Sequence, residues 1–133
     1  MFFLYELNKK RQIMVYPRQS SIFLRNVWHD VAGKPMSIVS DYAEAFQSVF
    51  VQQKLHILYR NTSGKYVVKC LNGAKISEDL VLPEESKAPT LTIHQGQAVV
   101  LYQNASGKTN KKMPSPGNCG TGNGTENPFY FLL

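Results

Sequence analysis

Apolar and polar residues alternate over short stretches of this chain, and each stretch stops at a polar turn, the pattern of half-buried strands. "FQSVFVQQ" (46 to 53) and "KLHILYRN" (54 to 61) are two such runs that meet at a polar hinge. "NTSG" turns the chain and "KYVVKCL" (65 to 71) runs back. "NGAK" turns it again, and "EDLVLP" (78 to 83) closes on a proline, which a sheet tolerates at its edge. The pattern predicts a four-stranded antiparallel unit.

The unit repeats. "QQKLHILYRNTSGK" (52 to 65) lies over "QGQAVVLYQNASGK" (95 to 108) without a gap at an offset of 43, with seven identities in 14 positions. Gln52 meets Gln95, Leu58 meets Leu101, Tyr59 meets Tyr102 and Asn61 meets Asn104. Ser63, Gly64 and Lys65 then meet Ser106, Gly107 and Lys108. A period of about 40 to 45 residues with several short strands per unit is the signature of a β-propeller blade. The expected fold class is therefore all-β, with antiparallel four-stranded blade repeats forming part of a propeller.

Upstream, "FFLYELNKKRQIMVYPR" has the same look, an apolar strand ending in Leu-Tyr before a polar turn and a returning strand. Aligned on that Leu-Tyr its spacing is 54, so it reads as a degenerate copy. At the far end "PFYFLL" starts another apolar run. The division is residues 1–45 as a degenerate first blade, 46–88 as a complete blade, and 89–133 as a second repeat whose last strand is cut short. Within it, 109–128 is rich in Gly, Asn, Pro, Ser and Thr, a loop composition. Two and a half blades do not close a ring, so the chain reads as a fragment of a longer protein. The other readings are assembly of several copies and a partner that completes the ring.

Charge and cysteine content narrow the function classes. The net charge is +6, but the basic residues are dispersed, with small groups at Lys9, Lys10, Arg11 and at Lys108, Lys111, Lys112. No basic stripe or interleaved aromatic platform marks a nucleic-acid site, so they read as a solvated surface. No apolar stretch nears the ~20 residues that span a bilayer as a helix, and the start lacks the order of a secretory signal. A complete chain of this kind would be cytoplasmic. Cys70 and Cys119 make no disulfide framework and no CxxC pair, so Cys70 is expected as a buried thiol and Cys119 as an exposed one.

Several motifs suggest chemistry and lose it on inspection. "QNASGKT" (103 to 109) ends like a phosphate-binding loop, yet Tyr102 stands where the first glycine belongs and two prolines follow instead of a helix. Its sister "RNTSGKY" shows that the shared Asn61–Gly64 and Asn104–Gly107 steps are turn residues, the glycines supplying a positive φ. "GNCGTGNG" (Gly120, Gly122, Gly124) lacks the flanking strand and helix of a dinucleotide site. His56 and His94 read as sheet positions, and no spacing suggests a metal set. Three Asn-x-Ser/Thr sequons occur, at Asn61, Asn104 and Asn123, two of them inside the repeated turn. Asp30, Asp41, Glu44, Glu78 and Asp79 are the carboxylates that a glycosidase could pair.

One cluster stands out. Trp28, the only tryptophan, is followed by His29 and Asp30, and a loop-rim aromatic can stack on a sugar ring or a peptide side chain. His29 and Asp30 could form a base and its orienter, but alternation along a strand sends neighbours to opposite faces. Trp28, His29 and Asp30 are thus candidate ligand-binding residues, with no catalytic residue, metal or cofactor assigned.

Residues 46 to 108 resemble the β-propeller class in general, in the neighbourhood of sialidase-type and bacterial repeat propellers. The Trp-Asp blade ending and the kelch double glycine are absent, and Thr62 and Val67 stand at the places of the sialidase box's Asp and Trp. The resemblance implies a scaffold for protein or carbohydrate binding, and some such propellers are glycoside hydrolases. The expected function is a non-catalytic binding module. The alternatives are a piece of a glycosidase-like enzyme and a purely structural assembly domain, with self-association through exposed strand edges.

Overall fold

A computed structural model describes residues 2–29, 31–72 and 75–112, which form twelve strands in three antiparallel sheets, with no helix among them. The all-β, antiparallel expectation holds. The first sheet runs β1 (Phe3–Glu6), β2 (Arg11–Arg18), β3 (Ser21–Trp28), then β4 (Val31–Ala32) and β5 (Met36–Val39). Both β4 and β5 pair with β3, so they are halves of one interrupted strand. The interruption covers Gly33, Lys34 and Pro35, where Pro35 has no N–H to give to a ladder.

The second sheet is the meander β6 (Tyr42–Val51), β7 (Lys54–Asn61), β8 (Tyr66–Asn72) and β9 (Lys75–Val81). Its first strand begins at Tyr42, ahead of position 46. The third is β10 (Lys87–His94), β11 (Gln97–Gln103) and β12 (Thr109–Lys112). Residues 109 to 112 are therefore strand, where composition had suggested loop. The backbone of β12 pairs with β11 in register although its side chains are polar, and lysines suit a strand near a sheet edge. The rest of the expected loop, 113–128, lies outside the described residues, as does "PFYFLL".

Strand pairing repeats at an offset of 43. Phe50 pairs with Leu55 and Ser48 with Ile57 in the second sheet, while Ile93 pairs with Ala98 and Leu91 with Val100 in the third. Leu58 opposite Val68 corresponds to Leu101 opposite Lys111. The first sheet falls into the same frame through its second strand, because β2, β7 and β11 start at Arg11, Lys54 and Gln97. The Leu-Tyr pairs 54 residues apart stand on different strands of their sheets: "LY" at 4–5 belongs to β1, whereas "LY" at 58–59 belongs to β7. The first hairpin misleads because its turn holds Leu7 to Lys10, against two residues at Gln52–Gln53. Asn8 Oδ1 accepts the Lys10 and Arg11 amides and sets that longer turn.

The sheets pack face to face through two cores. Ile13, Val15, Ile22 and Leu24 of the first sheet meet Leu55, Ile57 and Tyr59 of the second. Leu58 and Val68, on the opposite side of the second sheet, meet Leu91, Ala98, Val100 and Tyr102 of the third. β7 is therefore apolar on both faces, and each buried Leu or Ile there contributes about 1.5–3 kcal/mol. The first strands carry polar links between sheets. The hydroxyls of Tyr5 and Ser48 share a hydrogen bond at 2.6 Å, and the Gln47 amide donates to Pro89 O and accepts from Leu91 N, both at 2.9 Å. Cys70 is buried as expected, but it is disulfide-bonded and not a thiol; Cys119 lies outside the described residues.

Candidate functional site

The hairpin end of the first sheet gathers an aromatic ring, cations and an open pocket. Hairpin β2–β3 brings Arg11 directly opposite Trp28, the last residue of β3. Alternation puts both on the face that carries Ile13, Val15, Ile22 and Leu24, so they extend the core face past its buried part. The Arg11 guanidinium lies 4.0 Å from the centre of the Trp28 ring. Such a contact contributes about 0.5–1 kcal/mol at a partly exposed site and holds the indole in place.

His29 leaves the strand with a left-handed φ of 50°. Its N–H donates to Lys10 O at 3.1 Å, tying the strand end to the first hairpin. The backbone turn brings the His29 ring back against Trp28, edge-on with centroids 4.8 Å apart. His29 is not in strand conformation, so strand alternation does not apply to it, and Asp30, the neighbour from which alternation would have separated it, lies outside the described residues.

Past the turn, Gly33 donates to Asn26 O at 2.7 Å and its own carbonyl accepts from Arg25 Nε at 2.9 Å. A Cβ on Gly33 would stand 3.3 Å from Asn26 O, so the residue allows a close backbone approach. Around these groups opens a pocket of about 900 Å³, lined by Arg11, Asn26, Trp28, His29, Lys34 and the segment 31–33. Trp28 is 40% exposed and Val31 69%. The lining offers an apolar wall with a lysine and an imidazole at its rim, which suits recognition of a ring bearing polar substituents.

Sequence reading located Trp28 and His29 but missed Arg11, Asn26 and Lys34. Arg11 had been read with the solvated basic group Lys9–Lys10–Arg11, and only the register of β2 against β3 joins it to the indole. A cation 17 positions from a lone tryptophan across a predicted hairpin was the available signal.

The remaining candidates have structural partners or lie apart. Asn61 and Asn104 each accept two backbone amides at Oδ1, from Ser63 and Lys65 and from Ser106 and Lys108. Gly64 and Gly107 follow with φ of 82° and 81°. The Gly-Lys-Thr sequence at 107–109 is the end of this turn and leads into β12. Asp41 accepts from Tyr59 Oη at 2.9 Å, and Glu44 pairs with Arg60 at 2.8 Å. Glu78 and Asp79 belong to β9. His94 is exposed near the end of β10. His56 is buried, and burial first and Lys54 second push its pKa down to about 4, so it is neutral near pH 7. No group of three or more His, Cys, Asp or Glu among the described residues could hold a metal ion. Gly120, Gly122, Gly124 and Asn123 lie outside the described residues. No protein-family model, curated protein or solved structure matches this chain.

Proposed function

We propose that the chain is a non-catalytic binding module built from propeller-type blades, and that it takes its ligand at the Trp28 pocket. The observation that carries the reading is a partly exposed indole, held by Arg11 and His29, beside an open pocket at a strand end. A carbohydrate fits this wall best: one pyranose face covers an indole, while its hydroxyls take donors of the kind supplied by His29 and Lys34. The blade reading of the scaffold draws on the matched registers, the matched Asn-Gly turns and the sheet-on-sheet packing.

An immobilised glycan panel probed with the chain and with Trp28→Ala tests the reading. The native chain is expected to retain a defined subset of glycans and the variant to lose them by about tenfold or more in affinity. Retention of the same glycans by Trp28→Ala would sink the assignment of the site.

A further inference from the structure

The positive charge of the chain is concentrated on the sheet that carries the Trp28 pocket. Residues 1–40 hold six lysines and arginines against two carboxylates, Glu6 and Asp30, whereas the rest of the chain holds nine against seven. In sequence these cations look scattered, but strand pairing gathers them. Arg18, opposite Ser21, stands at the far end of the β2–β3 hairpin. Lys9 and Lys10 precede Arg11 in the turn at the pocket end, where the Lys10 carbonyl accepts the His29 N–H. Arg25 Nε donates to Gly33 O, and Lys34 follows in the pocket wall.

The lysines of this group are available to a ligand. Lys9, Lys10 and Lys34 are exposed, and none of them forms an ion pair among the described residues. No carboxylate is found among the described residues that line the pocket. Glu6 lies opposite Gln12, so it is on the other face of the first sheet from Arg11 and Trp28. Asp30 lies outside the described residues, and against this single acid stand three lysines and two arginines. A cleft edged by an excess of one sign of charge draws in a ligand of the other.

The kind of cation selects the kind of anion. A carboxylate is matched best by the flat fork of an arginine. Here both arginines are engaged, Arg11 over the Trp28 ring and Arg25 at the Gly33 carbonyl. What faces a ligand is the Lys34 ammonium, a point charge that suits a sulfate ester, whose charge is spread over three oxygens. We propose that the pocket takes a sulfated sugar, its ring against Trp28 and its sulfate ester at Lys34. This rests on the pocket reading and adds to it the charge of the ligand.

Calorimetry and indole emission with three oligosaccharides of equal length test it: a sulfated galactan, the same galactan desulfated, and a uronate oligomer. The sulfated ligand is expected to bind about tenfold or more tighter than the desulfated one and to change the Trp28 emission. Lys34→Gln, at an exposed position, is expected to weaken the sulfated ligand by about threefold or more and to leave the desulfated one unchanged. Lys111→Gln removes the same charge from exposed β12 and is expected to change neither. Equal affinity for the sulfated and desulfated galactans overturns the proposal, while an emission change with both keeps the pocket reading. A uronate oligomer bound as tightly as the sulfated galactan overturns the choice of sulfate. Equal losses in Lys34→Gln and Lys111→Gln also overturn it, because net charge and not this pocket would then attract the ligand. Binding that leaves the indole emission unchanged overturns the proposal and the pocket reading together.

Discussion

Asn61 and Asn104 show how one side chain sets a turn. Each carboxamide oxygen takes two backbone N–H groups, and the following glycine adopts the left-handed conformation that other residues adopt at a cost. Asn61→Ala is expected to cost about 1–2 kcal/mol, measured by urea denaturation, because both amides lose their partner. His56 predicts a pH dependence. Its folded pKa of about 4 lies below the ordinary 6.5, so between those values the unfolded chain binds a proton that the folded chain refuses. Its contribution is fully present above about pH 6.5, declines as pH falls, and is lost below about pH 4, roughly 3 kcal/mol in all. His56→Val, the residue at the equivalent position 99, is expected to flatten that part of the stability–pH curve, and an unchanged slope would exclude His56 as its source. At this scale the sequence was uneven. The turn residues were legible because they occur twice, whereas the left-handed φ of His29 and the pairing of Cys70 leave no local pattern to read.

Hairpins carry the register, and the two at Gln52–Gln53 and Gln95–Gly96 make the same turn with different residues. Both central positions of each have positive φ, as a tight two-residue hairpin requires. Gly96 accepts this freely, while Gln53, its counterpart, pays for a side chain in left-handed conformation. Gln53→Gly is expected to stabilise the chain by up to about 1 kcal/mol, read as a higher urea midpoint with an unchanged slope. A lower midpoint would show that Gln53 gives more to the fold than its backbone costs. Strand existence was legible throughout the second sheet because period-two alternation and a turn agree there. β12 was not, since "TNKK" has no apolar residue and is held by backbone pairing alone. The first sheet was misaligned for the opposite reason. Its Leu-Tyr at 4–5 copies the appearance of 58–59, while the true correspondence passes through β2, whose sequence shares little with β7 or β11.

At the scale of the molecule, three sheets stacked in one sense place the Trp28 pocket at a hairpin end, on the core-facing side of the first sheet. A meander with one apolar face must bury it against a neighbour, and the stacking does so. The pocket was half legible. A lone tryptophan beside a turn drew notice, but the cation that holds it comes from another strand. The same tryptophan gives the most direct test of the central claim, that this stack presents a ligand site at Trp28. As the only tryptophan, its indole emission reports on the pocket alone. Titration with a glycan retained by the chain is expected to shift or quench that emission saturably, with the midpoint found by calorimetry. Calorimetric binding that leaves the indole emission unchanged would contradict the account, because the ligand would then sit elsewhere.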